Sequence, residues 1–89
     1  MVLRVHEEHL REVTVMHVAG RLEGEVVDEL GAACRAAGGS IRLDLTGLLH
    51  ADEVGLGLLR SLRASGAELT GVSPFVEILL DGPLPDAPR

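Results

Sequence analysis

Apolar and polar positions alternate along this chain in segments that predict seven elements. Leu3 and Val5 begin a short strand, and Glu7 to Arg11 is a polar stretch long enough to reverse the chain. Val13 to Ala19 is apolar and rich in β-branched residues, which suits the second arm of a hairpin, ended by Gly20. From Glu25 to about Ala37 the apolar residues Val26, Val27, Leu30, Ala33, Cys34 and Ala37 recur at helical spacing, with Glu25, Asp28, Glu29 and Arg35 on the other side. Gly38-Gly39 closes that helix. Ile41-Arg42-Leu43-Asp44-Leu45 alternates again and predicts a half-buried strand, followed by a loop from Thr46 to Ala51.

Asp52 stands where a helix N-cap belongs, and Glu53 puts negative charge in the first turn, where the helix dipole favours it. The second helix runs to about Ser65 and stops at Gly66; Ala67 to Thr70 then makes a short strand. Ser73 caps a third helix with Pro74 at its first position, and Asp81-Gly82-Pro83 ends it. The order is β-β-α-β-α-β-α. A strand–helix–strand unit implies parallel pairing with a right-handed crossover, so the fold class is α/β, with one mixed sheet of about four strands and helices packed on it. One domain spans residues 1–82, and Pro83, Pro85 and Pro88 make residues 83–89 a proline-rich C-terminal tail.

Composition narrows the function classes. The only aromatic among the 89 residues is Phe75, so the core must be built from Leu, Val, Ile and Ala. Net charge is −6 and every basic residue is Arg. An acidic chain without Trp or Tyr lacks the agents of phosphate neutralisation and base stacking, which argues against nucleic acid, and the same sign argues against anionic lipid. No segment approaches the roughly 20 apolar residues of a membrane span, so direct membrane insertion is not expected. The opening residues break into charge at His6-Glu7-Glu8 before a signal-peptide core develops, and Cys34, a lone cysteine, has no partner for an intrachain disulfide. These features predict a cytoplasmic location.

Candidate chemistry is sparse. His6 and His9 have opposite parity on a strand, and His17 is an isolated strand residue. His50-Ala51-Asp52-Glu53 clusters a histidine with two carboxylates but lacks the spacing of a zinc-binding helix. Cys34 lies on an apolar helix face and reads as filler. Gly55-Leu56-Gly57 has neither the lysine nor the third glycine of a nucleotide fingerprint. No catalytic, cofactor or metal site is expected, and the chain is not read as an enzyme. The second helix is richer in leucine than one buried face requires: Val54, Gly55, Leu58, Leu59 and Leu62 share an arc, leaving Leu56 outside it beside Arg60 and Arg63. An apolar residue ringed by arginines suggests a contact surface.

Leu43-Asp44-Leu45-Thr46-Gly47, followed by Ala51-Asp52-Glu53-Val54-Gly55-Leu56-Gly57-Leu58-Leu59, resembles the STAS domain, in which a strand of form L-D-L-S-G precedes a helix opening on D-S-S-G-L-G-x-L-L. Val18-Ala19-Gly20-Arg21-Leu22-Glu23 and Leu69-Thr70-Gly71-Val72-Ser73-Pro74 are further matches, so the resemblance covers about residues 2–81. It implies a protein–protein interaction module like the bacterial anti-sigma factor antagonists, which act in transcription regulation. Related domains serve as the soluble part of sulfate transporters and as a subunit of phospholipid-transport ABC systems.

In antagonists the second serine of D-S-S-G is phosphorylated by a partner that is both kinase and anti-sigma factor, and the added charge breaks the complex. The resemblance puts the cap aspartate at Asp52, the first serine at Glu53, the second at Val54, and the glycines at Gly55 and Gly57. Val54 has no hydroxyl, so the phosphosite is degenerate. The implied partner is a GHKL-type anti-sigma factor/kinase, or alternatively a transporter subunit in a larger assembly. The expected partner-binding surface is the Thr46–Asp52 loop plus the start of the second helix, with Asp52, Glu53, Val54, Gly55 and Leu56 from the motif and Arg60 and Arg63 as rim from the helical arc. Glu53 is a candidate partial phosphate mimic.

Overall fold

The computed structural model describes residues 3–81. Its elements are β1 (Leu3–Leu10), β2 (Val13–Leu22), α1 (Glu25–Ala37), β3 (Ser40–Ala51), α2 (Glu53–Ala64), β4 (Glu68–Thr70) and α3 (Pro74–Asp81). The expected proline-rich tail, residues 83–89, lies outside the described residues. The strands form one mixed sheet in the order β1-β2-β3-β4. β1 and β2 are antiparallel; β2, β3 and β4 are parallel, as strands joined by helical crossovers must be. The α/β class and element order expected from the sequence are those observed.

One parity of each central strand builds the core. Met16 and Val18 of β2 and Leu43 and Leu45 of β3 are at most 2% exposed, and they pack with Leu30 and Cys34 of α1, Leu56 and Leu59 of α2, and Val76 and Leu80 of α3. All three helices contribute to this single apolar cluster. The opposite parity carries Glu8, His17, Arg42, Asp44, Glu68 and Thr70 on the other, open face of the sheet, matched across the strands by the pairs His17↔Asp44, Arg42↔Glu68 and Asp44↔Thr70.

Four boundaries differ from the sequence reading. Thr46 to Ala51 is not a loop but the second half of β3, and β2 continues past Gly20 to Leu22 beside it. The register shifts twice in this stretch, between His17 and Ala19 and between Gly20 and Arg21. The inward residues therefore fall at Leu45, Leu48 and Ala51, an interval of three that a two-residue alternation cannot register. Gly47 makes the irregular stretch possible, because a Cβ there would stand 2.8 Å from the Ala19 Cβ. The reversal placed at Glu7 to Arg11 contracts to a turn at Arg11 and Glu12, since an edge strand tolerates polar side chains on both faces. β4 begins at Glu68 rather than Ala67.

Candidate site at the start of the second helix

The N-terminus of α2 is fixed by one side chain. Asp52 Oδ1 accepts from the Gly55 backbone N–H at 2.7 Å, and Oδ2 accepts from the Gly24 N–H at 3.1 Å, so a single carboxylate ties the starts of α2 and α1 together. The Gly55 and Gly24 amides hold the Asp52 carboxyl below its ordinary range, and the negative charge also suits the helix dipole. The Asp52 N–H in turn donates to the Leu22 carbonyl at 3.1 Å, docking the cap on the end of β2. Gly55 is buried against the same carbonyl: a Cβ there would approach the Leu22 oxygen to 2.5 Å.

With the cap anchored, the residues around it turn outward. Val54 is 61% exposed and Glu53 is exposed beside it; Leu49, near the end of β3, is 77% exposed. Leu49 and Val54 thus stand three residues before and two residues after the cap as exposed apolar side chains. Polar residues border them: Glu23 Oε2 pairs with Arg21 at 3.1 Å and with His50 Nε2 at 3.3 Å. Leu49 lies in the Thr46–Asp52 stretch that the sequence assigns to the surface as a loop, where no one residue stands out; the structure makes that stretch a strand, and the doublet Leu48-Leu49 at its end is the signal that marks Leu49.

The expected ring of arginines around Leu56 is corrected. Leu56 is 7% exposed and belongs to the core, so the buried arc of α2 runs through Gly55, Leu56 and Leu59, and Val54 is the residue outside it. The helix is rotated because Gly55 must face Leu22, where no other residue fits. Arg60 and Arg63 point to α3 instead: Arg60 donates to the Leu79 carbonyl at 2.7 Å and the Leu80 carbonyl at 2.8 Å, and Arg63 pairs with Asp81 at 3.4 Å.

His17 is not isolated either. On the open face its Nδ1 lies 2.8 Å from Asp44 Oδ2 and its Nε2 lies 2.9 Å from Glu8 Oε1, bridging β1 and β3 across β2. These two carboxylates, Glu8 first, raise the His17 pKa above its ordinary value. The Thr46 hydroxyl at 2.6 Å and the Thr46 N–H at 3.1 Å, together with His17, pull Asp44 down to about 2. Both ring nitrogens are occupied and aim at different carboxylates, so the arrangement is an ionic staple rather than a base or a ligand set. Among the described residues no group of three or more His, Cys, Asp or Glu side chains is placed to hold a metal. Cys34 is buried, and desolvation pushes its thiol up, away from the reactive thiolate.

No protein-family model matches the sequence, and no curated protein matches it. Solved structures do. The anti-sigma factor antagonist SpoIIAA in its unphosphorylated form superposes with a TM-score of 0.65 at 23% identity, covering 88% of this chain and 82% of that one. An antagonist STAS domain from Rhodobacter sphaeroides gives 0.59 at 21% identity over 82% and 94% of the two chains. An antagonist from Mycobacterium paratuberculosis gives 0.66 at 20% identity over 90% and 78%. The fold of this chain is that of the STAS domain.

Proposed function

We propose that this chain is a STAS-type protein-interaction module, acting as an anti-sigma factor antagonist whose binding is not switched by phosphorylation at the start of α2. The observation that carries the reading is the exposed Val54, in the first turn of a helix whose start Asp52 holds rigidly. An apolar side chain there, with Leu49 across the cap, forms a surface that gains from burial against a protein. Glu53, Val54 and Leu49 are the contacts; Asp52 and Gly55 position them. Arg60 and Arg63 contribute only where a partner also reaches α3, and Leu56 acts through the fold. Position 54 has no hydroxyl to accept phosphate, and Glu53 supplies one charge where phosphate would bring about two, so the module stays binding-competent.

The partner chemistry that fits is a GHKL-type anti-sigma factor/kinase. Affinity capture from source-cell lysate with wild type, Val54→Asp and Leu49→Asp as baits tests this. Recovery of such an ATPase by wild type and its loss from both variants supports the reading. Equal recovery by all three moves the interface elsewhere, and transporter subunits in its place would make the chain a component of a membrane assembly. With the ATPase and ATP, wild type is expected to gain no phosphate at the start of α2, whereas Val54→Ser gains one.

A further inference from the structure

Among the described residues β1 is the edge of the sheet opposite β4: it pairs there only with β2, and seven of its eight residues are exposed. Charged side chains ordinarily keep such an edge from pairing with another chain. Here their order is self-complementary. Two copies of β1 laid antiparallel about a two-fold axis normal to the sheet keep corresponding faces together, so the axis must pass at a residue. With the axis at His6, Arg4 stands opposite Glu8 of the second copy, and the pair occurs twice on the open face. Moving the axis to Val5 or to Glu7 removes both Arg4–Glu8 pairs, and at Glu7 it also sets that glutamate against itself. Of the three registers, the one at His6 is the one that joins Arg4 to Glu8 across the edge.

The groups it needs are available. Arg4 makes no ion pair among the described residues, and Glu8 engages His17 through Oε1, which leaves Oε2 for a second donor. On the helix-bearing face Val5, 41% exposed, comes to lie diagonal to its own counterpart. We infer that β1 is a self-association edge, joining two copies into one continuous sheet with the two-fold axis at His6 and the Arg4–Glu8 pairs on either side. β1 shares no residue with the surface at the start of α2, so the inference stands independently of the partner proposed there. A single strand pair is a small interface built partly on exposed charges, so association is expected to be weak, concentration-dependent and weakened by salt.

Sedimentation equilibrium over a concentration series and mild oxidation of His6→Cys test it together. Residues facing each other on paired strands have Cα atoms about 4.5–5.5 Å apart, within disulfide reach. His6→Cys is expected to crosslink across the axis, whereas in Leu10→Cys the two thiols stand about 27 Å apart at roughly 3.4 Å per residue and stay reduced. Arg4→Glu and Glu8→Arg are each expected to sediment as monomers, and an equimolar mixture to form heterodimers, because mixing restores both opposite-charge pairs. Wild type that is monomeric at every concentration overturns the inference. So do equal crosslinking at positions 6 and 10, or folded Arg4→Glu that still dimerises.

Discussion

Gly55 and Gly57 sit in the same short motif and have opposite reasons to be there. A Cβ at Gly55 meets the Leu22 carbonyl oxygen at 2.5 Å, whereas at Gly57 nothing lies within 4 Å. Replacing a helical glycine by alanine gains about 0.5–1 kcal/mol in backbone entropy. Overpacking against a fixed backbone carbonyl costs about 1–3 kcal/mol, so the collision wins at Gly55 and the entropy wins at Gly57. Gly55→Ala is thus expected to lower the urea midpoint and Gly57→Ala to raise it. His17 adds a residue-level pH dependence. Its folded pKa is raised, so its ion pairs contribute fully below the unfolded value of 6.5 and are lost as pH rises through the folded value. Asp44, held at about 2 in the fold, contributes above its unfolded 3.8 and fails only as pH falls towards 2. The Asp44–His17 arm of the staple is complete between those limits. Thermal melting of wild type is expected to fall more steeply than that of His17→Gln as pH is raised above neutrality, and the His17 ring protons should titrate above 6.5 by NMR. Parallel melting curves would mean that solvent screens the staple.

Elements were legible in the sequence wherever periodicity was regular and terminators were local. The Glu25–Ala37 helix, the Asp52 cap and the Ser73-Pro74 start all depend on contacts within a few residues; Val76 N–H indeed donates to Ser73 Oγ at 3.2 Å. What could not be read depends on partners far along the chain. The continuation of β3 through Thr46 to Ala51 is set by the bulged register with β2, and the rotation of α2 by the Leu22 carbonyl. The arginines of α2 belong to the same class, since their acceptors lie at the end of α3. Arg60 braces that end, donating to two carbonyls of the last turn. Charge-assisted bonds at a partly exposed site contribute about 1–2 kcal/mol together, after screening. Arg60→Ala should accordingly speed hydrogen exchange in α3 before it affects the central strands. Arg60→Lys, a point charge in place of a fork, should restore only part of the protection.

At the scale of the molecule, the sheet separates stability from recognition. The helices and Leu56 cover one face, the His17 staple braces the other, and the proposed contact surface lies at the end of the sheet where β3 runs into α2. Leu56 and Val54 are two residues apart but belong to different parts of this division: Leu56 is 7% exposed and Val54 61%. A carboxylate at position 56 must be desolvated inside the apolar cluster, with a loss of roughly 3 kcal/mol or more, a large fraction of the stability of so small a domain. The same carboxylate at position 54 stays in water and costs the fold almost nothing. Both variants are therefore expected to lose the partner, but for different reasons. Leu56→Asp should show a collapsed melting transition, whereas Val54→Asp should melt like wild type. Wild-type affinity in a fully folded Val54→Asp would remove the start of α2 from the interface, while the packing assigned to Leu56 would be unaffected.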